Sequence, residues 1–157
     1  MQQINPAFTE RLYSMINSSP YPVLLSMTVR EIEIGRCTFE INIDEKKHWQ
    51  PYGIVHGGVI ASLIDTATFW SVYLNLEGES TGLVNVDLKL NYLAPVVTGK
   101  LVVIGEQIRL GKTLGLAEAR VTDERGTLIA CGLSTLMVIP GKNLKSDSPM
   151  PSKFINV

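Results

Sequence analysis

Gly53-Ile54-Val55-His56-Gly57-Gly58 runs directly into Val59-Ile60-Ala61-Ser62-Leu63-Ile64-Asp65-Thr66-Ala67-Thr68-Phe69-Trp70-Ser71-Val72-Tyr73-Leu74. The second stretch has neither glycine nor proline, so it reads as a helix. It is apolar on nearly every side, so protein must surround most of it. It is short for a membrane span and carries Asp65 near its middle, which favours a buried core helix. Glu77-Gly78-Glu79-Ser80 closes it.

On both sides of this helix the period changes from helical to two. Upstream, Cys37, Phe39, Ile41 and Ile43 alternate with Thr38, Glu40, Asn42 and Asp44, a strand with one dry face. Val23 to Ile34 is extended in character, and Gly35-Arg36 makes the turn between the two. Glu45 to Tyr52 is polar and contains proline, so it reads as a loop. Downstream, Val84, Val86, Leu88, Leu90 and Tyr92 alternate with Asn85, Asp87, Lys89 and Asn91 until Pro95 stops the run. Leu101 to Leu110, Leu114 to Thr122 and Leu128 to Ile139 follow, separated by turns at Gly111 and Arg125-Gly126. Consecutive strands with short turns imply an antiparallel sheet. At the start, Asn5-Pro6 reads as an N-cap with proline in the first turn, and Phe8, Leu12 and Met15 or Ile16 give a short amphipathic helix to about Asn17. Ser18-Ser19-Pro20-Tyr21-Pro22 ends that helix. Residues 1–140 read as one domain and 141–157, rich in lysine, serine and proline, as a loose tail.

The pattern is an α+β fold: an antiparallel sheet curled around one long central helix. One sheet face cannot hide such a helix on all sides, so a partner subunit is expected to cover the rest. Composition agrees with a globular chain: 157 residues, 45% hydrophobic and 18% charged, with a net charge of −1. That balance gives no bulk attraction to nucleic acid or to an anionic membrane. Two cysteines, Cys37 and Cys131, make neither a disulfide framework nor a metal quartet. Met1-Gln2-Gln3-Ile4-Asn5-Pro6 does not read as a signal peptide, so a cytoplasmic protein is expected.

The candidate chemistry lies where the loop meets the helix. A helix start offers unpaired N–H groups and partial positive charge, and Gly57 and Gly58 let a ligand approach the backbone. Such a place can hold a carbonyl oxygen as negative charge develops on it. Asp65 is the one ionisable side chain between Gly57 and Glu77. Eight residues of helix separate Gly57 from Asp65, about 12 Å. One reacting carbonyl needs both groups within about 3–4 Å. A single copy of the helix cannot supply both; two antiparallel copies across a twofold axis can. The sequence therefore implies a two-chain active site at a subunit interface, with Asp65 from one subunit and the Gly57 N–H from the other.

With Gly53-Ile54-Val55-His56-Gly57-Gly58-Val59 and Leu63-Ile64-Asp65-Thr66-Ala67, the chain resembles the hotdog-fold thioesterases, specifically the PaaI-like acyl-CoA thioesterase family. Val86 to Pro95 looks like the family's strand after the helix, and Arg120 to Ala130 looks like its late hairpin. A lone His-Gly-Gly says little; the carboxylate nine residues after the histidine and both later stretches in order make the resemblance specific. It implies a hotdog fold, a homodimer or dimer of dimers, and hydrolysis of an acyl- or aryl-CoA thioester. Asp65 would act as nucleophile or general base, and the Gly57 N–H would polarise the carbonyl. His56 would orient the thioester end of the substrate, and Gln50 would join them. Gly58, Asn85 and Phe69 would line the substrate. The family uses no metal and no redox cofactor; CoA is part of the substrate. Many members carry asparagine where Gln50 stands. Glutamine there looks like the hydroxybenzoyl-CoA thioesterase branch, which has glutamate in place of Asp65. Asn85 stands where serine or threonine is frequent.

Blander readings stand beside these. Asp65 can be a helix carboxylate paired with a backbone or serine group, His56 a cap, Gln50 a loop residue, and the two glycines packing residues. Phe69, Trp70 and Tyr73 read more as core than as an acyl pocket. Arg109 and Lys112 flank Gly111, a basic turn that either grips CoA phosphates or is simply solvated. The alternative function is a non-catalytic acyl-CoA-binding hotdog module, which would tend to lack the carboxylate. A hotdog hydratase usually has an aspartate five residues before a histidine; here the order is reversed and the spacing is nine.

Overall fold

Asn5 starts the first helix as expected: its side chain accepts the Ala7 N–H, and Pro6 fills the first helical position, where no N–H is needed. In the computed structural model, which describes residues 2–76, 78 and 80–156, this helix (α1) spans Pro6–Ser18 and buries Phe8, Leu12 and Ile16. A short strand, Gln2–Ile4 (β1), precedes it. The prolines at 20 and 22 do not lead into extended chain. They occupy the first turn of a second helix, Pro20–Leu25 (α2), where neither proline has to donate a hydrogen bond. The expected extended run therefore begins later, at Met27–Glu33 (β2).

Strand β3, Arg36–Asn42, buries Cys37, Phe39 and Ile41, the dry face that alternation requires. The loop expected at Glu45 to Tyr52 contains one turn of helix, Glu45–His48 (α3), capped by the Asp44 side chain. The long helix α4 spans Gly57–Tyr73. Its expected closing residues Glu77 and Glu79 lie outside the described residues. The meander follows as β4 (Thr81–Tyr92), β5 (Lys100–Leu110), β6 (Leu114–Asp123) and β7 (Leu128–Pro140).

These strands form one antiparallel six-stranded sheet in the order β2-β3-β5-β6-β7-β4. Helix α4 packs across all six. The closest approach is at Gly105 of β5, where a Cβ would stand 2.3 Å from the Ala67 carbonyl oxygen. Cys37 sits at the same place and donates its thiol to the Ala67 carbonyl at 3.0 Å; burial pushes that thiol up to about 12. Among the described residues, no helix is long and apolar enough to cross a membrane.

Strand β4 lies at the sheet edge and departs from the expected alternation. Asn85 pairs with Leu136 and Asp87 with Thr135, so Val86 is an extra residue in a bulge. Before the bulge, Leu83 and Asn85 face the helix; after it, Leu88 and Leu90 pack on the core. Val84 and Val86, expected on the dry face, are exposed.

The expected loose tail is tied down. Phe154–Asn156 (β8) pairs antiparallel with β1, and Asn5 bonds the Ser152 and Lys153 carbonyls. Lys153 is buried at the C-terminal end of α4. It donates to the Tyr73 and Leu76 carbonyls at 3.3 and 3.1 Å and lies over the Tyr73 ring. Burial pulls its amine down to about 8.

Candidate active site

The two parts of the expected site arise at different levels of one helix. At its start, His56 is the N-cap: its Nδ1 accepts the Gly58 N–H at 2.8 Å. That bond leaves the neutral ring with its proton on Nε2, and the side chain is exposed. The His56 N–H is held by the His48 carbonyl at 2.7 Å. His48 is itself fully buried. Its Nδ1 accepts the Asp44 N–H and its Nε2 donates to the Leu25 carbonyl, both at 2.9 Å. The residue expected in a plain loop thus braces the chain entering α4.

The Gly57 N–H finds no acceptor among the described residues. It opens on a cleft of about 350 Å³ lined by Gln50, Gly57, Tyr92 and Pro95 among others. Gln50 donates its N–H to the Ile54 carbonyl, and its Oε1 receives only a long contact, 3.5 Å, from the Tyr52 N–H. Gln50 thus lines the same cleft as Gly57, which is next to His56 and Gly58 in the chain.

Asp65 stands two turns further along α4 and is exposed in the single chain, not buried as an apolar helix suggested. Asn85 reaches it from β4, donating Nδ2 to both the Asp65 carboxylate and its carbonyl oxygen. Asn85 Oδ1 is buried and has no donor. A cleft of about 510 Å³ opens beside this pair, walled by Phe69 and Trp70 of α4, Ile16 of α1, Pro22 of α2 and Leu83 of β4. Phe69 and Trp70 pack against the core, as read from the sequence, and also line the Asp65 cleft, while Tyr73 is buried against both rings.

Arg109 and Lys112 join neither cleft. Their turn lies at the C-terminal end of α4, where Asn75 bonds Gln107 and Gly115 meets Val72. A further cleft of about 520 Å³ runs under the tail beside Tyr73 and Lys153 and holds none of the expected catalytic residues. Among the described residues, no group of three or more His, Cys, Asp or Glu is placed to hold a metal ion.

Sequence reading missed Tyr92, His48 and the short helices α2 and α3. Tyr92 donates its hydroxyl to the Gly57 carbonyl at 3.0 Å. No spacing signals this. Seven residues separate Asn85 from Tyr92, which in a regular strand puts them on opposite faces. The bulge at Val86 turns both toward α4.

Residues 52–130 match the thioesterase superfamily. The 1,4-dihydroxy-2-naphthoyl-CoA hydrolase of Listeria monocytogenes is 26% identical over 73% of this chain and 91% of its own length. A thioesterase structure from Haemophilus influenzae superposes with a TM-score of 0.76 at 27% identity, covering 83% of this chain and 90% of that one. The E. coli PaaI protein superposes with a TM-score of 0.78 over 90% of this chain and all of its own; at 15% identity it speaks for the shared fold. With a six-stranded sheet around one central helix and the match to the family over half its length, the chain belongs to the thioesterase superfamily and is a thioester hydrolase of the hotdog fold.

Proposed function

We propose that this protein hydrolyses acyl-CoA thioesters at a site completed by two copies of the chain. One subunit supplies Asp65 with its Asn85 partner, and the other supplies the Gly57 N–H with His56 and Gln50. The observation that carries this reading is that the two halves open on separate clefts of one chain, eight residues apart on a rigid helix. Each half also has bonding capacity to spare: the Gly57 N–H, with no acceptor among the described residues, on one side, and the exposed Asp65 carboxylate, bonded by Asn85, on the other.

The chemistry follows from those groups. The Gly57 N–H draws electron density onto the thioester carbonyl oxygen and holds the oxyanion of the tetrahedral intermediate. His56 Nε2–H is a second donor at the same helix start. Asp65 acts as general base, taking a proton from the water whose oxygen attacks the carbonyl carbon, or attacks that carbon itself to give a mixed anhydride that water then opens. In either route the C–S bond breaks as the oxyanion collapses, and the sulfur leaves as CoA thiolate. Asn85, bonded to the carboxylate, fixes its direction. The acyl group lies along Phe69, Trp70 and Leu83.

The test uses two dead variants. Asp65→Ala is expected to lose at least about a thousandfold in turnover while remaining folded. Mixing it with a subunit disabled at Gly57 is expected to restore activity in verified heterodimers, because one of the two sites then receives both intact halves. Heterodimers as inert as either parent would refute the shared site. Single-turnover hydrolysis in ¹⁸O-labelled water tests the anhydride route: label found in Asp65 requires an anhydride opened at the Asp65 carbonyl, which direct water attack on the thioester cannot give.

A further inference from the structure

We propose that Tyr92 is a positioning residue for the Gly57 amide, a role that rests on the reading of the Gly57 N–H as the carbonyl's donor. Two adjacent glycines have wide backbone freedom, and the first turn of a helix lacks the hydrogen bonds that hold its interior. An N–H that must point at a developing oxyanion needs its peptide plane fixed from outside the helix. The structure shows how this is done. The peptide joining Gly57 to Gly58 is held at both ends: its carbonyl takes the Tyr92 hydroxyl at 3.0 Å, and its N–H goes to His56 Nδ1 at 2.8 Å. In the preceding peptide, the His56 carbonyl takes the Val59 N–H at 2.9 Å. The Gly57 N–H belongs to this preceding peptide, so with the planes on both sides of the Gly57 Cα held, its direction is set at the edge of the cleft that Gly57, Gln50 and Tyr92 line.

Packing supports the same assignment. A Cβ on Gly57 would stand 2.9 Å from Tyr92 Cζ and Oη, so the ring lies directly on the glycine. The absence of a side chain at 57 is thus matched to the phenol, not only to the ligand. Gly57 is in helical conformation, so alanine fits its backbone; what alanine displaces is the end of the Tyr92 side chain. More than half of Tyr92 is exposed, and its placement over Gly57 depends on the bulge at Val86. A tyrosine that served only to fill the core would not need its hydroxyl at this carbonyl.

The experiment measures kcat, KM and Tm for Tyr92→Phe, Gly57→Ala, the double variant and Asp65→Asn. Thiol release is followed from benzoyl-CoA or decanoyl-CoA, whichever the wild type turns over. Tyr92→Phe is expected to lower kcat about tenfold with KM changed less than about twofold and Tm nearly unchanged, since the ring stays and only the carbonyl contact is lost. Because Gly57→Ala already evicts the phenol, adding Phe at 92 is expected to cost nothing more; the double variant should equal Gly57→Ala alone. An unchanged kcat in Tyr92→Phe beside an inactive Asp65→Asn overturns the role of Tyr92 and leaves the hydrolase reading intact. Losses that multiply in the double variant, or a loss confined to KM, also overturn it. A fully active Asp65→Asn overturns the role given to Asp65 and leaves that of Tyr92 to be decided by the other variants.

Discussion

Helix α4 has two faces that obey different rules. On one, Leu63, Ile64 and Ala67 have no exposed surface and press on the sheet so closely that Gly105 leaves room for nothing larger. On the other, Ser62, Asp65, Thr66, Phe69 and Trp70 recur at helical spacing and stay open to varying degrees in the single chain. The first face is finished: its polar groups are paired, down to the Cys37 thiol on the Ala67 carbonyl. The second carries a carboxylate with one amide partner, a buried amide oxygen with no donor, and a half-walled apolar cleft. A helix that is apolar nearly all round therefore has one face committed to the fold and another left open in the single chain, the face on which the proposed two-chain site would form.

The comparison breaks most sharply at Gly105. Gly105→Ala is expected to cost about 3 kcal/mol, because its methyl meets helix backbone and not a movable side chain. That corresponds to a drop of roughly 9 °C in Tm, read by thermal unfolding. Asp65→Ala on the open face should move Tm little while ending turnover. Equal stability losses at the two positions would erase the distinction between the faces. Asn85→Ala is expected to come next in size, lowering kcat about tenfold by freeing the Asp65 carboxylate, with the fold retained. Steady-state kinetics with a circular dichroism check decides it.

The smallest effect is expected at the far end of the finished face, from Lys153. Burial holds its amine at about 8 in the fold against 10.5 in the unfolded chain, so the unfolded chain binds more protons between those values. Stability contributed through this residue is therefore lowest below pH 8 and rises toward pH 10.5. Relative to Lys153→Met, the wild type should gain on the order of 1–2 kcal/mol across that window. Urea unfolding at pH 7.5 and pH 10 measures it, and a constant difference between the two proteins would sharpen the contrast in the other direction, by showing that the ammonium is fully compensated by the Tyr73 and Leu76 carbonyls.

The fold was legible in the sequence because its main signals are periodic. Alternation marks β3 and the strands after α4, and the unbroken apolar run marks α4 itself. Asp65, Gly57 and His56 stood out as candidates because each is conspicuous where it stands: a carboxylate in an apolar helix, and glycines with a histidine at its start. What escaped has other causes. Pro20 and Pro22 look like a helix stop, yet the first turn of a helix tolerates both. The tail is polar, so nothing in its composition shows that Lys153 would be drawn under Tyr73. His48 and Tyr92 act through single contacts to backbone atoms of distant residues, which no periodicity records.

Val86 makes counting by twos fail across the edge strand, and so ties residue number to chemistry there. A related chain that lacks the bulged residue has the positions of Asn85 and Tyr92 six apart in a regular strand, an even offset that still sends both amide and phenol toward the helix. A one-residue gap at 86 in an alignment therefore marks the loss of the bulge and of neither contact, whereas a chain of equal length without the bulge has to turn one of the two outward.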